Sequence, residues 1–119
     1  MKVIAIRYTS DSTALVGFYT ALGFPVDVAS RTGDWIELAS ASAAIAVHHV
    51  AAEETIHPAG SAELAFEADE PLEAIRSRLR DAGFPGGEIV DEAHGRSLRI
   101  VDPDGTPVQI NEFDRELYT

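Results

Sequence analysis

Apolar and polar positions along the 119-residue chain form a series that runs through twice. Residues 3–8 are short, apolar and rich in β-branched and aromatic side chains, which predicts a strand. Asp11-Ser12-Thr13 is a helix-start cluster. Leu15, Phe18, Tyr19 and Leu22 follow at i, i+3, i+4 and i+7, and Gly23 is placed to end the helix. Strands are predicted at 24–28, 35–38 and 43–50, with a turn at Thr32-Gly33-Asp34. Residues 51–60 show no apolar period and read as a linker loop.

The order then begins again. Residues 63–68 alternate with period 2. Asp69-Glu70-Pro71 opens a helix carrying Leu72, Ile75, Leu79 and Ala82, acidic at its start and bearing Arg76, Arg78 and Arg80 toward its end, as the helix dipole favours. Gly83 closes it, and three strands follow at 88–92, 96–101 and 106–113. Leu22-Gly23-Phe24-Pro25 and Ala82-Gly83-Phe84-Pro85 lie 60 positions apart, each just after a helix. Three identical residues of four within a repeated element order indicate internal duplication. The expected fold is α+β, two βαβββ modules in a curled mixed sheet around a cleft. Module one takes residues 1–50 and module two residues 61–119, joined by the linker within a single domain.

Charge narrows the partners. Nine basic residues stand against 20 acidic ones, net −11, with −3 in residues 1–60 and −8 in residues 61–119. That field repels nucleic acid and anionic membrane and favours a neutral or cationic small organic ligand. The absence of cysteine removes disulfides, thiolate metal sites and cysteine nucleophiles. With no signal-peptide core and no run of about 18 apolar residues, a soluble cytoplasmic protein is expected.

Ser10-Asp11 followed by Phe18-Tyr19 and Leu22-Gly23-Phe24, then Leu64-Ala65-Phe66-Glu67, Gly83-Phe84 and Asp102-Pro103-Asp104-Gly105 leading into Val108-Gln109-Ile110, form an ordered set. With it the chain resembles the vicinal oxygen chelate superfamily, which includes glyoxalase I, bleomycin-resistance proteins, fosfomycin-resistance enzymes and extradiol dioxygenases. The resemblance implies paired modules enclosing a cleft, a homodimer, and in metal-dependent members one ligand on the first and last strand of each module. Those positions fall here on Ile4, Ala46, Glu63 and Gln109. Two are hydrocarbon and Gln109 is neutral, so the usual metal centre is expected to be lost and no cofactor is expected. A shift of two residues in the fourth strand brings in His48 and gives the alternative: an altered site of His48, Glu63 and Gln109 holding Ni, Zn, Mn or Fe.

Strand alternation groups Ile4, Ile6 and Tyr8; Ala44, Ala46 and His48; Glu63, Ala65 and Glu67; and Gln109 with Asn111. Arg7 and Thr9 would then face the helix layer, where apolar residues are expected. The candidate ligand-binding residues are Glu63, Gln109, His48, Tyr8, Trp35 and Asn111, with Glu63 the candidate catalytic group as acceptor, counter-ion or general base. Trp35 offers an aromatic wall for a flat ligand or, more plainly, core packing or a dimer contact. His48-His49 with Glu53, Glu54 and His57 puts five potential ligands in ten residues, but His48 and His49 fall on alternate strand faces. The rest reads as a solvated, adventitiously metal-binding loop without zinc spacing, and His94 reads as surface. Three functions follow: a metal-independent binding protein sequestering an antibiotic or metabolite, an enzyme of glyoxalase, lyase or dioxygenase type, and an interaction domain whose site is inactive.

Overall fold

The computed structural model describes residues 1–41, 43–103 and 105–119, so Asp104 of the turn motif lies outside the described residues. The protein is α+β and built of two βαβββ modules. Compact packing groups residues 4–63, with Thr119, into one unit, and residues 1–3 with 64–118 into the other. The segment read as a linker therefore packs with module one.

Module one comprises β1 (Lys2–Thr9), α1 (Ser12–Ala21), β2 (Val26–Ala29), β3 (Trp35–Ala39) and β4 (Ala44–His49). Its sheet order is β2-β3-β4-β1, with β4 parallel to β1 and antiparallel to β3. The Asp11 carboxylate accepts from the Ala14 N–H at 3.1 Å and caps α1. Gly23, at φ 110°, ends it in a conformation that glycine adopts without penalty.

The Arg7 guanidinium donates to the Tyr19 hydroxyl at 3.1 Å, which places Arg7 on the α1 side of the sheet. Register puts Val47 and Ile36 beside it, with Ile45 and Leu38 next along, and Val47 and Leu38 are buried. Pleating sends Ile4, Ile6, Tyr8, Ala44, Ala46, His48, Trp35 and Glu37 to the opposite face. Arg7 also donates to the carbonyls of Ser61 and Gly60, so its helix-side position is explained by loop anchoring. The apolar stripe expected to bury α1 is only partly buried. Leu15, Val16 and Tyr19 are half-buried, whereas Phe18 and Leu22 are 58% and 61% exposed.

Module two comprises β5 (Ala62–Glu67), α2 (Leu72–Asp81), β6 (Glu88–Glu92), β7 (Gly95–Val101) and β8 (Pro107–Phe113), followed by a 3₁₀ turn at Arg115–Leu117 that the apolar pattern did not foretell. The sheet order is β5-β8-β7-β6. Leu72 and Ile75 of α2 pack on Leu98 and Ile110, with Phe66, Leu79, Ile89 and Ile100 around them. The opposite face carries Ser97, Gln109, Asn111 and Glu67. In each module the first strand runs parallel to the last, pairing Ile6 with Ala46 and Ala65 with Gln109. The duplication inferred from the tetrapeptides is thus repeated in strand pairing.

Arg96 ties the start of α2 to the sheet, donating to both Glu73 and Glu112, while Glu112 accepts the Leu72 N–H. The hydrogen bond from Arg96 lowers the Glu73 pKa from 4.5 to about 2. A carboxylate whose pKa is depressed on folding contributes stability that is fully present above its unfolded value and is lost as pH falls through the folded one. The stability difference between wild type and Arg96→Met is therefore expected to be constant above about pH 4.5 and to shrink toward pH 2. Urea denaturation across that range checks it, and a gap that widens on acidification contradicts it. Both partners are exposed, so the difference is expected to be small and to fall with added salt.

Candidate functional site

Three of the predicted residues, Tyr8, His48 and Trp35, meet in module one, on the face away from α1. Register places His48 between Tyr8 on β1 and Trp35 on β3. The Tyr8 and His48 ring centroids are 5.3 Å apart, and the His48 and Trp35 rings meet edge to face at 5.6 Å. The Trp35 indole N–H donates to the Glu37 carboxylate at 2.9 Å. Glu37 is 1% exposed, an uncommon state for a carboxylate and one that requires polar partners.

The loop that follows β4 completes the cluster. Val50 N–H donates to the Thr9 carbonyl, Gly60 N–H to that of Tyr8, and Tyr8 N–H to that of Ser61. The Glu54 carboxylate accepts the N–H groups of Ile56 and His57. These bonds present the His57 ring to Tyr8, stacked at 4.5 Å with planes 7° apart. His57 Nδ1 lies 3.4 Å from the Glu63 carboxylate, whose side chain is 12% exposed. His57 lies in the loop, as expected, with its side chain 40% exposed, and its ring also meets Tyr8 and Glu63. Glu37 was not singled out from the sequence; its position two residues from Trp35, on the same strand face, was the available signal.

The remaining predicted residues lie in module two, on the sheet face away from α2. Asn111 is 1% exposed and Gln109 7%. Asn111 Oδ1 accepts from the Ser97 hydroxyl at 2.8 Å and lies 3.2 Å from His94 Nε2, while its Nδ2 donates to Gln109 Oε1 at 3.0 Å. His94, read as surface, is half-buried and rests against Phe113. Arg99 pairs with Glu92 at 3.0 Å. A pocket of ≈ 490 Å³ on this module is lined by Asp91, Arg96, Glu112, Phe113 and Leu117 among others, and by none of the predicted site residues.

The donor chemistry does not suit the four-ligand centre that the resemblance implies. Ile4 and Ala46 are fully buried hydrocarbons, and Gln109 Oε1 is engaged by Asn111. Among the described residues no group of three or more His, Asp or Glu side chains is placed to hold a metal ion. The module-one cluster sets the rings of Tyr8, His48, Trp35 and His57 beside carboxylates at Glu37 and Glu63.

No family model matches the sequence, and no curated protein matches it. Solved structures do. A glyoxalase/bleomycin resistance protein/dioxygenase superfamily member from Vibrio splendidus 12B01 superposes with a TM-score of 0.58 at 14% identity, over 92% of this chain and 96% of that one. A Legionella pneumophila structure described as an NAD-dependent benzaldehyde dehydrogenase gives 0.64 at 18% identity, over 94% and 99%. A Staphylococcus aureus protein gives 0.58 at 13%, over 96% and 97%. The chain has the vicinal oxygen chelate type of fold. No helix is long and apolar enough to cross a membrane among the described residues.

Proposed function

We propose that the chain is a small-molecule-binding protein of the glyoxalase/bleomycin-resistance type, acting in the cytoplasm as a homodimer and without a metal. The observation that carries this reading is the cluster of Tyr8, His48, Trp35 and His57 with carboxylates at Glu37 and Glu63. Hydrocarbon at Ile4 and Ala46 supports metal independence, and the acidic surface supports a neutral or cationic ligand.

Calorimetry and thermal shift with matched pairs of flat heteroaromatic compounds test it. A cationic member is expected to raise the melting temperature and to bind at least about tenfold more tightly than its neutral isostere, a difference of ~1.4 kcal/mol. Trp35→Ala is expected to abolish that preference. Stoichiometric metal in the purified protein that disappears in Glu63→Ala would overturn the reading.

One observation favours a second reading. A carboxylate facing Nδ1 of an imidazole leaves Nε2 as the proton acceptor, so Glu63 and His57 have the arrangement of a metal-free general base. Proton–deuterium exchange at an acidic C–H of a bound ligand, lost in His57→Gln, is the result expected of it.

A further inference from the structure

Acidic residues outnumber basic ones by 20 to 9, yet among the described residues Arg76 and Arg80 of α2 form no hydrogen bond or ion pair. The acids around them are committed elsewhere. Glu73, one turn before Arg76 and within its electrostatic reach, has both carboxylate oxygens taken by Arg96, and Glu70 holds Arg78. Asp81 follows Arg80 directly, a spacing at which helical side chains do not face each other. Arg76 and Arg80, at i and i+4, do face each other, and like charges so placed weaken a helix. The helix dipole favours cations at this end. It does not call for them as caps, because the carbonyls of Arg78, Leu79 and Arg80 already accept the N–H groups of Ala82, Phe84 and Gly83.

The loop that follows α2 passes both side chains at Gly86. A Cβ there would collide with Arg80 Nε and lie 2.8 Å from Arg76 Cγ, so glycine is what lets the two arginines close over the backbone. Gly86 is buried and Arg76 half-buried. Among the described residues no acceptor takes the Gly86 N–H, whereas buried backbone donors are nearly always satisfied. Two guanidinium side chains and one backbone donor thus come together without an acceptor.

We infer that Arg76, Arg80 and the Gly86 N–H bind a phosphate group carried by a small molecule. Two guanidiniums match the nearly two negative charges of a phosphate monoester at neutral pH. Its three terminal oxygens take donors from three directions, whereas a single guanidinium already satisfies a planar carboxylate. Charge also sets the size of the ligand. A net charge of −11 repels long polyanions such as nucleic acid and anionic membrane. That field is screened beyond about 8 Å at physiological salt, so a single phosphate group responds mainly to the two arginines beside it. The site uses no residue of the module-one cluster and does not depend on the function proposed for it.

NMR of the backbone amides and arginine Nε–H groups of the full chain, titrated with inorganic phosphate, reads the site. The Gly86 amide and Arg80 Nε–H are expected to shift saturably, with a dissociation constant of about 1 mM. Methyl phosphate is expected to bind at least as tightly, and less well as pH falls through about 6, where a monoester loses its second charge. Acetate is expected to bind at least about tenfold more weakly. Arg76→Gln and Arg80→Gln should each weaken phosphate binding at least about tenfold with unchanged circular dichroism. Arg78→Gln, at a position whose side chain pairs with Glu70, should change it less than about twofold. No saturable shift at Gly86 up to ~20 mM phosphate overturns the site. Shifts that persist in both Gln variants of Arg76 and Arg80 overturn its assignment to these residues. Acetate binding as tight as phosphate overturns the ligand class, and binding of inorganic phosphate without methyl phosphate overturns the organic source.

Discussion

Tyr8→Ala is expected to destabilise the protein by about 3–4 kcal/mol and to remove ligand binding together with that stability. The side chain is 3% exposed, its ring stacks on His57 and it contacts His48, so truncation leaves a cavity walled by two imidazoles. The backbone of the same residue holds Ser61 and Gly60, which shortens any rearrangement that could fill the space. Against a typical total of 5–15 kcal/mol this is a large fraction. Urea denaturation should show a lower midpoint at an unchanged slope. Tyr8→Phe keeps the ring and is expected to recover most of the loss, which separates packing from the hydroxyl. A loss below about 1 kcal/mol in Tyr8→Ala would mean that the cluster does not pack as described.

Asn111→Ala has the second largest expected effect, about 2–4 kcal/mol, for a different reason. Little apolar area is lost. Instead, the Ser97 hydroxyl, His94 Nε2 and Gln109 Oε1 lose a shared partner at a place where Ser97 and Asn111 are essentially sealed from water. Each buried group deprived of its partner costs about 1–3 kcal/mol, partly relieved where His94 reaches solvent. Ser97→Ala removes one donor and leaves Asn111 Oδ1 beside His94, so about 1 kcal/mol is expected. Residues sharing one network couple, and the double variant should lose less than the two single losses together. Strict additivity would show that Ser97 and Asn111 act independently.

Much of the architecture was legible because it rests on local periods. The 88–92 strand was read with its observed bounds, and the others fell within one or two residues. Positions 23 and 83 were read as helix-ending glycines, and both have positive φ. The partition of Ile4, Ile6 and Tyr8 from Arg7 also followed from alternation alone. His57 and Glu37 were not legible as members of the cluster. The direction of His57 is set by hydrogen bonds that Arg7 and Tyr8 donate into the loop and that the Glu54 carboxylate accepts, and such bonds leave no period in the sequence. Glu37 sits between Ile36 and Leu38, and only pairing of β3 with β4 shows that it lies beside Ala46.

The sequence by itself determined the repeated βαβββ order, the hydrocarbon side chains at Ile4 and Ala46, and the acidic net charge. These depend on side-chain identity and short-range spacing, which the chain carries openly. The tertiary structure alone decided that His57 joins Tyr8, that Asn111 is the hub of a buried network, and that the apolar stripe of α1 faces out at Phe18 and Leu22. Periodicity states that a helix has an apolar face; which way that face turns depends on what the sheet offers beneath it. Here Arg7 and the half-buried row of Leu15, Val16 and Tyr19 occupy the inner side, and Phe18 and Leu22 remain outside.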